Sequence, residues 1–284
     1  MAFAAVGGNR LYYERAGRGQ RLLFISGTGG DLRVRPGVFE SPVGAAFDLV
    51  SYDQRGLGQS DKPAGPYSMQ DYADDAARLL DAIGWDTAAV IGVSFGGMVA
   101  QEFALRHPQR ISKLVLACTS AGGAGGASFP LHEIAHLPLE ERFRRQLSVS
   151  DVRQTPEWQR EHADTVAKML EWNRSASRFG EEDPKKAAGA ALQLDARRRH
   201  DTWARLDRLA MPVLLCAGRY DGIAPLSNME GMARRIRNAE LRVYDGGHLF
   251  FIQDRTAYPD IVRWLQAWIE NGTFGGGRGL IECR

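Results

Sequence analysis

The chain has 284 residues, 44% of them hydrophobic and 25% charged, with a formal net charge of +2. That length can bury a large core and suits one α/β domain carrying an inserted subdomain. The near balance of charge offers nothing to draw nucleic acid or an anionic membrane, and no apolar run is long enough to cross a bilayer. Met1 to Asn9 lacks the charged-then-apolar pattern of a secretory leader. The cysteines, Cys118, Cys216 and Cys283, are odd in number, and two fall in buried-looking strands. Both features point to a reducing, cytoplasmic setting. No C-x-x-C or H-E-x-x-H spacing suggests a metal, and no cofactor is expected.

The first expected strand is Leu11-Tyr12-Tyr13-Glu14, ended by a turn at Gly17 and Gly19. Leu22 to Ile25 reads as a buried strand that runs into Ser26-Gly27-Thr28-Gly29-Gly30. A phosphate cradle is disfavoured there, because Leu32 breaks G-x-G-x-x-G and no Gly-Lys-Ser/Thr follows. The loop can instead turn a backbone N–H inward, and Thr28 is the expected donor, with Gly27 beside the substrate. A further strand spans Asp48 to Tyr52. Ser68 and Asp71 then form a capping box, and Tyr72, Ala76, Leu79, Leu80 and Ile83 share one helix face that stops at Gly84.

Next comes the most telling segment. A β-like run, Ala88-Ala89-Val90 to Val93, leads into Gly92-Val93-Ser94-Phe95-Gly96, and a helix-like run follows from Phe95 to Arg106. G-x-S-x-G at a strand-to-helix turn exposes the serine hydroxyl, while the glycines keep Cβ atoms out of a crowded bend. The helix N-terminus also favours developing negative charge. Ser94 is the expected nucleophile. The backbone N–H of Phe95 is the expected second oxyanion donor, beside that of Thr28. The competing reading is an ordinary βα turn whose serine only caps the helix.

After a strand at Lys113 to Ala117 the pattern changes. A flexible Gly122-Gly123-Ala124-Gly125-Gly126 opens a section rich in Arg, Glu, Trp and His, with helical spacing and no convincing buried strand. Residues 121–205 are therefore expected to form a helical subdomain. Residues 1–120 and 206–284 are expected to form a discontinuous core with a mobile, dispensable glycine-rich tail from about 271. Phe129, Phe143, Trp158 and Trp172 are candidates to line a pocket, although such aromatics more often pack a subdomain onto its core. Arg197-Arg198-Arg199 reads by itself as a solvated charged face.

Beyond this section, strand, loop and helix alternate again, implying parallel pairing with helices on both faces. Pro212 to Gly218 reads as a buried strand, and Asp221 follows it in a turn held by Gly222 and Pro225. Glu240 to Tyr244 reads as another, leading through Asp245-Gly246-Gly247 to His248. Serine needs a general base oriented by a carboxylate, and His248 and Asp221 stand where a doubly wound sheet presents functional groups. Asp245 and Asp254 are rival acids. His107 is expected to cap a helix C-terminus, and His132, His136, His162 and His200 to lie on the surface or along a pocket.

These motifs, together with Tyr52-Asp53-Gln54-Arg55-Gly56-Leu57-Gly58-Gln59-Ser60, resemble the α/β-hydrolase superfamily over residues 9 to 270. Within it the chain is most similar to small soluble esterases and lactonases, including 3-oxoadipate enol-lactonase-like proteins. Many relatives carry His-Gly where this chain has Ser26-Gly27. The resemblance implies a mostly parallel central sheet, a helical cap over the site and a Ser94–His248–Asp221 triad. It also implies metal-free hydrolysis of a small ester or lactone through an acyl-enzyme, and the lactonase likeness implies that Arg197-Arg198-Arg199 could recognise a substrate carboxylate. Two alternatives keep the same fold: a carbon–carbon bond hydrolase of meta-cleavage type, and a small-molecule receptor with weak hydrolysis. Oligomeric state is not readable from the sequence.

Overall fold

The computed structural model describes residues 2–267 and 280–282. Its strands are β1 (Ala2–Val6), β2 (Asn9–Ala16), β3 (Arg21–Ile25), β4 (Asp48–Tyr52), β5 (Ala88–Val93), β6 (Ile111–Ala117), β7 (Val213–Gly218), β8 (Ala239–Tyr244) and β9 (Leu280–Glu282). They form one sheet in the order β1-β2-β4-β3-β5-β6-β7-β8-β9. Only the β1–β2 and β2–β4 pairings are antiparallel. Every residue of β7 is buried, as is all of β5 except Val93. Strands covered on both faces need apolar side chains on both, which explains their unbroken apolar runs.

The α-helices are α1 (Pro42–Ala46), α2 (Met69–Ala82), α3 (Phe95–Arg106), α4 (Leu131–Ile134), α5 (Leu139–Ser150), α6 (Pro156–Glu161), α7 (Ala163–Ser177), α8 (Lys186–Arg198), α9 (Leu226–Arg235), α10 (Phe250–Gln253) and α11 (Ala257–Gln266). One face of the sheet packs on α2, α3 and α9, and the other on α1 and α11. The α2 capping box forms as its sequence requires. Ser68 Oγ accepts the Asp71 N–H at 3.1 Å, and the Asp71 carboxylate accepts the Ser68 N–H at 2.9 Å. Helices α4 to α8 lie between β6 and β7, and Phe143, Leu147, Val166 and Leu170 give this insertion a small core of its own.

Two strands were not anticipated. β1 is a five-residue edge element whose alternation is carried by alanines, too weak a pattern to read. β9 pairs in parallel with β8, so the expectation of a mobile tail fails at Leu280–Glu282, where the chain caps an open sheet edge. The rest of that expectation, for 271–279 and 283–284, lies outside the described residues. Among the described residues no helix is long and apolar enough to cross a membrane.

Candidate active site

Ser94 joins β5 to α3 with φ of 55°, a left-handed conformation rare for a residue bearing a side chain. Hydrogen bonds fix that turn. The Ser94 N–H donates to the Ala117 carbonyl at 2.9 Å, and Thr119 Oγ1 donates to the Ser94 carbonyl at 2.8 Å. The flanking glycines are steric requirements. A Cβ on Gly92 would run into the Gly96 carbonyl and the Ala100 methyl, and one on Gly96 into the Ile25 carbonyl. The strain at Ser94 is thus held by close packing of β3, β5 and α3.

Asp221 follows β7 at its carboxyl end. Its Oδ1 accepts the N–H groups of Ile223 and Ala224 at 2.8 and 2.9 Å, which turns Oδ2 toward the histidine. His248 follows β8, with Nδ1 2.8 Å from Asp221 Oδ2 and Nε2 2.9 Å from Ser94 Oγ. Hydroxyl, imidazole and carboxylate therefore stand in one hydrogen-bonded line. All three are largely removed from water, at 8% (Ser94), 9% (His248) and 5% (Asp221) exposure.

The rival acids point elsewhere. Asp245 pairs with Arg153, while Asp254 accepts the Asp245 N–H and caps Thr256. His107 caps the end of α3 and binds Asp74 at 2.8 Å. His132, His136 and His162 are exposed, but His200 is buried. Burial pushes the thiols of Cys118 and Cys216 well up, so neither is poised as a thiolate. Cys283 lies outside the described residues.

The loop after β3 lies against the serine: a Cβ on Gly27 would sit 3.4 Å from that of Ser94. Gln54 Nε2 donates to the Ser26 carbonyl at 2.8 Å, and the Gly29 N–H donates to Gln193 Oε1 at 2.9 Å. Among the described residues neither the Thr28 nor the Phe95 N–H has a hydrogen-bond acceptor. Two donors next to the serine are therefore unspent.

The aromatic candidates separate. The Phe129 N–H donates to the Ile223 carbonyl at 2.8 Å, which places this residue beside the Asp221 turn. Trp158 stacks on His162 and packs, like Phe143, in the small core of the insertion. Trp172 stands out from α7 at 53% exposure. Gln193 was missed in the sequence. The available signal was a small-and-polar stripe on α8, Gly189, Gln193 and Arg197, spaced four residues apart. Gly189 lets α8 approach the loop after β4 closely, because a Cβ there would strike the Gly56 carbonyl.

A parallel sheet presenting a serine at a βα turn, with acid and base after later strands, defines a hydrolase-type scaffold. The family model described as "alpha/beta hydrolase fold" matches residues 20–255, and the chain belongs to that family. A poly(3-hydroxyalkanoate) depolymerase from Ectopseudomonas oleovorans is 33% identical over 259 residues, which are 86% of this chain and 84% of that protein. An esterase from Thermogutta terrifontis superposes with a TM-score of 0.70 at 27% identity, over 93% of this chain and 97% of its own. The enol-lactonase from Burkholderia xenovorans shares the fold, with a TM-score of 0.75 at 23% identity over 93% and 99% of the two chains.

Proposed function

We propose that this protein is a serine hydrolase of small carboxylic esters or lactones, with Ser94, His248 and Asp221 as its catalytic triad. The observation that carries the reading is the unbroken line from Ser94 Oγ through both ring nitrogens of His248 to Asp221 Oδ2, at 2.9 and 2.8 Å. Ser94 attacks the substrate carbonyl as His248 takes its proton, and Asp221 holds the imidazole tautomer and stabilises its charged form. The free N–H groups of Thr28 and Phe95 receive the oxyanion. Collapse of the tetrahedral intermediate leaves an acyl group on Ser94, and His248 then activates water to release the acid. Residues 121–205 act as a cap that excludes water and shapes the pocket. Relatives named as a depolymerase and an esterase support ester cleavage.

Labelling with a fluorophosphonate tests the assignment. One phosphonyl adduct on Ser94 is expected, together with turnover of an activated short-chain ester that the label abolishes. Full ester turnover after complete labelling elsewhere, or by pure Ser94→Ala protein, would overturn it. A panel that adds lactones and a ring-cleavage dienoate separates ester, lactone and carbon–carbon cleavage.

A further inference from the structure

Helix α5 of the insertion has two working faces. Phe143 and Leu147 turn into the insertion's small core. Glu141, Arg144, Arg145, Ser148 and Val149 follow the spacing i, i+3, i+4, i+7 and i+8, and so share another face. That face walls a cavity of about 530 Å³, bounded elsewhere by Phe129, by Ile134 at the end of α4, and by Pro156 and Arg160 on α6. Small-molecule sites run to about 300–1,000 Å³. Among the described residues the lining includes none of Ser94, His248 and Asp221.

The walls are apolar at Phe129, Ile134, Val149 and Pro156. The polar groups among them are spent on one another. Gln159 Nε2 donates to Ser148 Oγ at 2.8 Å and to the Gln154 carbonyl at 3.2 Å, and Ser148 Oγ donates to that carbonyl at 3.1 Å. An apolar chain laid against them breaks no hydrogen bond.

The rim is charged, with three guanidinium groups against one lining carboxylate, Glu141. Arg144 pairs with Glu140 at 3.1 Å, Arg145 with Glu141 at 2.9 Å and Arg160 with Glu157 at 2.7 Å, and all six side chains are about half exposed or more. Exposed pairs of this kind contribute only about 0–1 kcal/mol. Glu140 also keeps Arg174, at 3.4 Å, when Arg144 turns away. The rim arginines can therefore close on an anion, and the guanidinium fork matches a carboxylate.

This cavity also touches the catalytic acid's turn. The Gly222 N–H donates to the Val149 carbonyl at 2.9 Å, and the Phe129 N–H donates to the Ile223 carbonyl at 2.8 Å. Two residues of the wall thus hold the two residues that follow Asp221. Both bonds are already well made, so an occupant that moves either wall lengthens them.

We propose that this cavity binds a carboxylic acid with an apolar body, apart from the catalytic centre, and that its occupancy lowers turnover. Hydrolysis of an apolar ester releases an acid of this make-up, so the site answers to product. The effect on turnover rests on the serine hydrolase reading, whereas the binding does not.

The probe is decanoate, titrated calorimetrically below its micellar range into protein whose Ser94 carries a small phosphonyl label. One equivalent is expected to bind, and uncharged decanol at least about 10-fold more weakly. The combined variant Arg144→Gln, Arg145→Gln and Arg160→Gln should weaken decanoate by about 10-fold or more and leave decanol where it was. Val149→Glu, which sets a carboxylate on the apolar wall, should weaken both. If that variant does not fold, the exposed arginines decide alone. In unlabelled protein, decanoate should lower kcat for a short ester with KM little changed, and the arginine variant should need about 10-fold more of it.

No binding to the wild type overturns the site. So does binding that the arginine variant leaves unmoved, or purely competitive inhibition, which would put the acid in the catalytic pocket. A dimer in sedimentation that Val149→Glu dissolves, with no decanoate bound, would make the cavity an interface between two copies and also overturns it. If Ser94 takes no label and no ester is turned over, the hydrolase reading fails by itself, and the same titration on unlabelled protein still decides the site.

Discussion

The backbone N–H of His248 donates to the carbonyl of Ser150, the last residue of α5. The neighbouring residues serve the acid loop in the same way. The Gly222 N–H donates to the Val149 carbonyl at 2.9 Å, and the Val152 N–H to the Tyr220 carbonyl at 3.0 Å. One short piece of the insertion thus ties down the loops of both Asp221 and His248. Gln253 completes the brace, since its Oε1 accepts the Gly247 N–H at 2.7 Å and its Nε2 donates to the buried Asp151 at 2.9 Å.

Gly247 is where this brace is tightest, because a Cβ there would meet the Ser150 carbonyl and Asp151. Gly247→Ala is expected to push His248 off its line to Ser94. A displacement of about 1 Å at a reacting group costs on the order of 100-fold in rate. The expected signature is a fall in kcat of about 10- to 100-fold with a much smaller change in KM, in a protein that still melts cooperatively. An unchanged kcat would mean that the loops hold their geometry without the insertion.

Removing the line itself should cost more. Ser94→Ala is expected to lower kcat/KM for an activated ester by about three orders of magnitude or more, with the residual rate coming from binding and the oxyanion donors. Asp221→Asn keeps the shape but presents an amide to His248 Nδ1, which favours the wrong tautomer. A loss of about 1,000-fold or more is expected, carried by kcat. Combining the two changes should cost little beyond Ser94→Ala alone, since the residues act as a unit. Multiplied losses in the double variant would argue against the shared line.

The parts legible in the sequence were those where covalent geometry leaves few choices. The elbow could be read because a strand entering a helix through a left-handed serine tolerates only glycine at positions 92 and 96. Asp221 could be read because it follows a continuous apolar run, which in a parallel sheet marks a buried strand, and His248 because it follows an alternating strand, Glu240 to Tyr244, through Gly246 and Gly247. The orientation of the insertion could not. The run of Arg197, Arg198 and Arg199 looks uniform as a string, yet helical geometry sends one side chain inward and two outward, and only packing decides which. Trp158 and Trp172 failed as guides for the same reason, since an aromatic on a helix suits the insertion's own core as well as a pocket wall.

The Arg55–Asp75 pair offers a test of stability separate from catalysis. Both side chains are buried, at 8% and 1% exposure, and they bind through two parallel hydrogen bonds. Asp75→Ala strands a buried guanidinium, and the half-exposed Asp71, 3.3 Å from Arg55 Nη1, compensates only in part. Breaking such a pair costs about 3–5 kcal/mol. Urea denaturation should show a loss near the lower end of that range. A loss under about 1 kcal/mol would mean that Asp71 and water take over the role of Asp75.

His200 makes stability depend on pH with a definite sign. Burial pulls its pKa down to about 3; a contact with the Ser120 backbone opposes this, and the charges of Arg205 and Arg197 add to it. In the unfolded chain the imidazole titrates near about 6.5. Between these values the unfolded state binds the extra proton, so stability rises with pH. The contribution is complete above about pH 6.5 and is lost progressively as pH falls toward 3, at up to about 1.4 kcal/mol per pH unit. Carboxylates titrate across part of the same range, so the wild-type curve alone does not isolate the histidine. His200→Leu does, because the carboxylates are common to both proteins and cancel in the difference. Urea denaturation at intervals from pH 4.5 to 7.5 should give a shallower pH dependence for His200→Leu, the wild type losing stability relative to it as pH falls. Parallel curves would mean that the imidazole is protonated in the folded protein as readily as in the unfolded one.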